Sequence, residues 1–208
     1  MNFKLISVFA AGLLSAAPAF SATLDFEGAS SFGSIDRYYD GGTDQNGGAG
    51  TNYGLSFGLD ALGLSNDVLG PYYSNAPSPG TVMTAVGQDA ALNSISGFGG
   101  QASLWYSSTE NTSVSIYSGL NGTGALLGTF DLIANATNGG CSDSPFCFWQ
   151  QATVSFSDIA HSIQFGTAAN VAGFDNVTVA PVPLPAAGWL LVSALGGMGA
   201  LARRKRAS

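Results

Sequence analysis

Ala22-Thr23-Leu24-Asp25-Phe26-Glu27 sets Leu24 and Phe26 against Asp25 and Glu27 with a period of two. The same alternation returns in Ser113-Val-Ser-Ile116, Ala152-Thr-Val-Ser-Phe156 and Ser162-Ile-Gln-Phe165. Successive side chains of a strand point to opposite faces, so each of these stretches reads as a strand with one buried face. Further strands are expected at Leu55–Leu59, Thr81–Val86, Leu92–Ile95, Ala102–Ser107, Leu126–Ile133 and Val171–Val179. Asn121-Gly-Thr-Gly124 reads as a tight turn between two of them. No long stretch between the chain's ends has helical periodicity. The fold expected for residues 22–179 is all-β, a single antiparallel β-sandwich or jelly roll of about ten short strands.

Residues 40–50 (DGGTDQNGGAG) are too glycine-rich for regular structure, and Asp40 and Asp44 within them read as turn formers before weaker cation ligands. No internal repeat and no second domain is visible. About 160 residues between the two ends suffice for one domain with its own core.

The ends differ from this middle. Lys4 precedes an apolar run from Leu5 to Leu14, too short to span a bilayer, and small residues follow. Residues 1–21 read as a signal peptide cut after Ala19-Phe20-Ser21, so that Ala22 begins the mature chain; cleavage after Ala19 is the alternative. At the other end, residues 180–208 open on alternating Pro181, Pro183 and Pro185, which forbid helix and sheet pairing. An uncharged stretch, 186–202, comes next, roughly 25 Å long as a helix and expected to cross a membrane. Arg203, Arg204, Lys205 and Arg206 close the segment with positive charge that holds a tail in the cytoplasm and leaves the rest outside.

A proline motif, a short apolar helix and a basic tail, in that order, resemble the PEP-CTERM sorting signal of Gram-negative bacteria. Val182-Pro183-Leu184-Pro185-Ala186 is similar to its VPLPA variant, with Leu184 where the commoner form has Glu. The resemblance implies export by signal peptidase and then recognition by an exosortase. The chain would be anchored transiently by 186–202 and cut near the prolines, to end at the cell surface or outside the cell. Three strings within the domain, GGTDQNGGAGTNYGLSFG, YSGLNGTGALLGTF and GFDNVTV, resemble PEP-CTERM ectodomains without an assigned activity. TLDFEG and FDNVTV also resemble the first and last strands of galactose-binding-like jelly rolls. In those, the first and last strands are neighbours and their carboxylates hold a structural calcium ion. Carried over, that makes Asp25, Glu27 and Asp175 a candidate calcium site, with a solvated strand face and a turn-forming Asp as the alternative.

Charge narrows the partners. Arg37 is the single basic residue between the ends, against all thirteen Asp and Glu, so nothing could neutralise phosphates and nucleic acid is excluded. Cys141 and Cys147 lie close in NGGCSDSPFCFW and, in an exported chain, read as a local disulfide stabilising by roughly 2 kcal/mol. One histidine, His161, and no second cysteine pair leave too few ligands for zinc. No nucleophile elbow or phosphate loop is present, and nothing in the sequence brings Glu27 and Glu110 together. The chain is therefore not expected to be an enzyme. Sugar stacking would need exposed rings, for which the pairs Trp105-Tyr106, Tyr72-Tyr73 and Tyr38-Tyr39 are the candidates, Trp105, Tyr72 and Tyr73 foremost, with core packing as the competing use.

The leading expectation is an exported, exosortase-processed surface or biofilm-matrix protein with a structural or adhesive role. The alternative is a carbohydrate-binding module that uses calcium, with polysaccharide as its partner. A secreted hydrolase comes third.

Overall fold

The computed structural model describes residues 21–66, 72–140 and 144–181. Cys141, the sorting motif at 182–186, the apolar stretch 186–202, the basic tail and nearly all of the signal segment lie outside these residues. No helix among the described residues is long and apolar enough to cross a membrane.

Nine strands carry the fold: β1 (Ala22–Leu24), β2 (Leu55–Phe57), β3 (Ala61–Ser65), β4 (Thr81–Ala85), β5 (Ala91–Ser108), β6 (Thr112–Tyr117), β7 (Leu126–Leu132), β8 (Gln150–Gln164) and β9 (Ala172–Pro181). All pairings between them are antiparallel, in the order β3-β4-β9-β5-β8-β6-β7, with β1 added beside β9 and β2 beside β5. The all-β expectation holds. First and last strands are neighbours, with Ala22 opposite Val179 and Leu24 opposite Val177.

Two pairs of expected short strands turn out to be single long ones. Leu92–Ile95 and Ala102–Ser107 merge into β5, and the two alternating stretches at 152–156 and 162–165 merge into β8, which ends at Gln164. What looked like a break is a corner. The β5–β8 register shifts between Asn93 and Phe98 and again before Gly100, where Gly97 (φ 78°) and Gly100 (φ 79°) take left-handed backbone. A Cβ at Gly97 would meet Ile159 Cγ2 at 2.4 Å, so the bend needs glycine there twice over. Before the corner β5 pairs with β2, and beyond it with β9. The C-terminal end of β8 pairs with β6. One sheet thus folds over itself, and all nine strands place residues in one core around Phe26, Phe98, Phe130, Phe165 and Phe174.

The β6–β7 turn is as expected. Asn121 (φ 53°) and Gly122 (φ 68°) both have positive φ, and Thr123 N–H bonds to the Leu120 carbonyl.

A second, smaller core lies on the other face of β3 and β4. Leu64 and Val82 are covered there by Tyr73 and Trp149, with Phe146 and Trp105 packed beside them. This explains why all five residues of β4 are buried. Tyr73 also lies flat on β9: a Cβ added at Gly173 would come within 2.2 Å of its ring. Gly173→Ala should therefore push the ring off the sheet and cost about 1–3 kcal/mol. In urea unfolding the midpoint should fall at constant slope; an unchanged midpoint would mean the ring is not seated there.

Candidate functional site

β1 stops at Leu24, and the chain then turns sharply. Phe26 adopts φ 58° while fully buried, a costly conformation for a bulky residue. Its ring packs edge-on against Tyr39 and Phe57, and its N–H donates to the Tyr39 hydroxyl at 2.7 Å. Asp25 and Glu27 therefore do not share a face of a strand, as the alternation suggested. Both instead line a partly open cleft of about 170 Å³, with Tyr38, Tyr39, Gly50, Thr51 and Tyr53 completing it.

The glycine-rich loop, whose end at Gly50 lines the cleft, is irregular but firmly held. Buried Asp44 accepts N–H bonds from Asn46 and Gly48 on Oδ1 and from Ser30 on Oδ2. Burial pushes its pKa up, but these donors outweigh that and leave it lowered. The chain then zips along the tyrosine pair: Gly50 N–H bonds to the Tyr38 carbonyl, and Tyr53 and Leu55 N–H to that of Tyr39. Tyr53 stacks on Tyr39 with centroids 6.0 Å apart and planes at 26°, and 43% of it stays exposed. The Tyr39 hydroxyl donates to Asp25 Oδ1 at 3.4 Å. Burial, then the nearby Asp25 charge, raises the Tyr39 phenol far above its usual range.

Asp175 is fully buried and sits close to the cleft's acidic wall without joining it. Its Oδ2 accepts Ser78 N–H at 2.7 Å, and its Oδ1 accepts Asn176 N–H at 2.7 Å and lies 2.5 Å from Ser78 Oγ. Ser78 Oγ also lies 2.9 Å from the Asp25 carbonyl oxygen. Glu27 Oε1 accepts the N–H groups of Gly80 and Thr81 at 2.8 and 3.1 Å. The terminal strands bring Asp25, Glu27 and Asp175, the candidate calcium ligands, near the loop before β4, where each has an oxygen bonded to a main-chain N–H. Among the described residues no group of three His, Cys, Asp or Glu could hold a metal.

The candidate sugar-stacking rings fare unequally. Tyr73 is buried in the second core, and Trp105 is packed against that core but only partly buried. Tyr72 is exposed, edge-on to Phe32 at 6.3 Å. His161 is tied to the Ser94 carbonyl at 2.8 Å. Cys147 is buried and no described cysteine is free. Of the candidate pair Tyr38-Tyr39, both residues line the cleft. Thr51 and Tyr53, which also shape it, were missed, and their signal was the Thr-Asn-Tyr that follows the glycine loop.

Asp25 and Glu27 invite comparison with a glycosidase pair. Such enzymes place an acid and a nucleophile or base on either side of the scissile bond. Here the two acids lie two residues apart in one short segment, and one oxygen of Glu27 is committed to the main chain.

No family model matches the chain, and no curated protein does. Solved structures overlap it in part. A family 6 carbohydrate-binding module is 19% identical with a TM-score of 0.37, over 51% of this chain and 79% of that one. A family 6 module from Clostridium stercorarium in complex with cellobiose is 10% identical with a TM-score of 0.38, over 61% and 86%. An arabinoxylan arabinofuranohydrolase from Bacillus subtilis, in complex with cellotetraose, is 14% identical with a TM-score of 0.40, over 61% of this chain but 26% of that one. At such scores the cleft's chemistry is judged on its own side chains.

Asp175 yields a pH dependence. Burial, the largest effect, raises its pKa from 3.8 to about 6, against the Ser78 and Asn176 hydrogen bonds and with a smaller push from Glu27. An acid with a higher pKa folded than unfolded binds more protons when folded. Stability should therefore fall by about 3 kcal/mol as pH rises from about 4 to about 6, then level off. Asp175→Asn, which mimics the protonated acid, should flatten that slope in urea titrations at each pH. Millimolar calcium should leave both midpoints unmoved, and a calcium-dependent rise would restore the metal site.

Proposed function

We propose that the domain is a glycan-binding module and that the cleft at Asp25, Thr51 and Tyr53 seats one sugar ring. The observation that carries this reading is Tyr53, half-exposed and braced from behind by Tyr39, with a carboxylate beside it. A pyranose offers an apolar C–H face and a rim of hydroxyls. The first suits the free face of Tyr53, and the second suits the Asp25 carboxylate and the Thr51 hydroxyl. A cleft of about 170 Å³ is smaller than sites for drug-sized ligands, which fits one ring of a chain rather than several. About twelve heavy atoms at about 0.3 kcal/mol each give roughly 4 kcal/mol, a dissociation constant near 1 mM for a single ring.

The sorting segment complements this reading. We propose that the chain is exported, held or released at the surface by an exosortase through Val182–Ala186, and contributes to adhesion by gripping polysaccharide. Surface-extracted protein should begin at Ala22 and lack Arg203–Arg206, as read by intact mass and N-terminal sequencing. Mature material that keeps the basic tail would count against sorting.

Saturation-transfer NMR with cello-, laminari- and chito-oligosaccharides tests binding. Ring C–H protons should receive the strongest transfer, and Tyr53→Ala should weaken binding about tenfold, or 1.4 kcal/mol. Absence of transfer to every probe would end the glycan reading.

A further inference from the structure

We infer that the sugar ring this cleft prefers carries a free amine, as in a de-N-acetylated hexosamine polymer, rather than a neutral or acidic ring. The inference rests on the glycan reading above and assigns its substrate class.

Three observations meet at one place. The cleft wall carries two carboxylates, from exposed Asp25 and half-buried Glu27, and no cation lines the cleft. Each has one oxygen committed internally. Asp25 Oδ1 takes Glu27 N–H and the Tyr39 hydroxyl, and Glu27 Oε1 takes Gly80 and Thr81 N–H. Asp25 Oδ2 takes no hydrogen bond from a described residue, whereas Glu27 Oε2 lies against Gly80, outside the cleft lining. Finally, the exposed ring of Tyr53 forms part of the same cleft, and an aromatic face attracts an ammonium group as well as a C–H face.

The field beyond the cleft points the same way. Arg37, the only Lys or Arg among the described residues, is bound at Nε to Asp40 at 3.0 Å. Asp25, Asp44 and Glu27 all push the Tyr38 phenol upward, after burial, so their negative potential overlaps at this cleft. A uronate ring would bring a like charge into that potential. A neutral ring would leave the free Asp25 oxygen to hydroxyls or water. An ammonium supplies up to three donors and a charge, to the free Asp25 oxygen and to the negative potential that Glu27 adds. N-acetylation removes the charge and replaces the compact ammonium with a flat amide.

The test is calorimetric, on purified exported protein at low salt, with four tetramers: glucosamine, N-acetylglucosamine, galacturonate and lysine. Glucosamine tetramer should bind at least about tenfold tighter than its acetylated counterpart, a gap of 1.4 kcal/mol. The gap should shrink in 0.5 M salt and close in Asp25→Asn, which keeps an acceptor for Glu27 N–H, while Tyr53→Ala should weaken both sugars. Equal affinity for the two hexosamine tetramers, or tighter binding of galacturonate, overturns the amine preference and leaves the glycan reading intact. Lysine tetramer binding as tightly as glucosamine tetramer overturns it as well, because charge alone would then suffice. If no sugar tetramer binds, the glycan reading falls, and this inference falls with it.

Discussion

Ser78 Oγ has one proton and two acceptors within reach, the Asp25 carbonyl at 2.9 Å and the Asp175 carboxyl at 2.5 Å. Both contacts can be satisfied only if the carboxyl brings a proton of its own, and that is the state burial favours for Asp175. The knot ties three remote stretches together: the last strand, the loop before β4, and the exit of the first strand. With Ser78 fixed, Gly80 and Thr81 present their N–H groups to Glu27, and the acidic wall of the cleft takes its shape. The aromatic residues of the cleft are held by Asp44 and by main-chain bonds along Tyr38 and Tyr39, and are joined to this knot through the Tyr39 hydroxyl on Asp25 and the Tyr38 hydroxyl on the Glu27 carbonyl.

The strained turn at Phe26 makes sense in this frame. Ending β1 at Leu24 and reversing at Phe26 buries one ring among Tyr39 and Phe57 and swings the flanking carboxylates to the rim. A straight continuation of the strand would have set Asp25 and Glu27 facing solvent along an edge. The cost of a left-handed phenylalanine is offset by a fully buried aromatic side chain and a bonded N–H.

Period-two alternation was enough to read the fold class and most strand positions, because a half-buried strand must alternate. It could not show that 92–95 and 102–107 are one strand. The intervening Ser96-Gly-Phe-Gly-Gly-Gln101 breaks the alternation, and a bulged corner and a loop look alike in sequence. The neighbouring of first and last strands was legible; the fate of their carboxylates was not. Calcium, a solvated face and main-chain capping all ask for the same residue types. Tyr73 shows the same limit: adjacent Tyr72 and Tyr73 are equivalent in sequence, and only the covering of Leu64 and Val82 decides which one is buried.

A domain with thirteen acids and one cation would ordinarily be read as tuned for solubility or for divalent ions. Its carboxylates do something else. Asp25, Asp40, Asp44, Asp60, Asp89, Asp175 and Glu27 each accept at least one main-chain N–H from a turn or loop. Glycine-rich loops have few side chains with which to hold themselves, so their N–H groups need acceptors supplied from elsewhere. A carboxylate supplies two oxygens at once without needing a partner cation. Wherever one oxygen is enough for the loop, the other is left over with its charge. In the cleft the second oxygen of Asp25 is such a leftover, and Tyr53 lines the same cleft, so the device that stiffens the loops also sets the sign of the site.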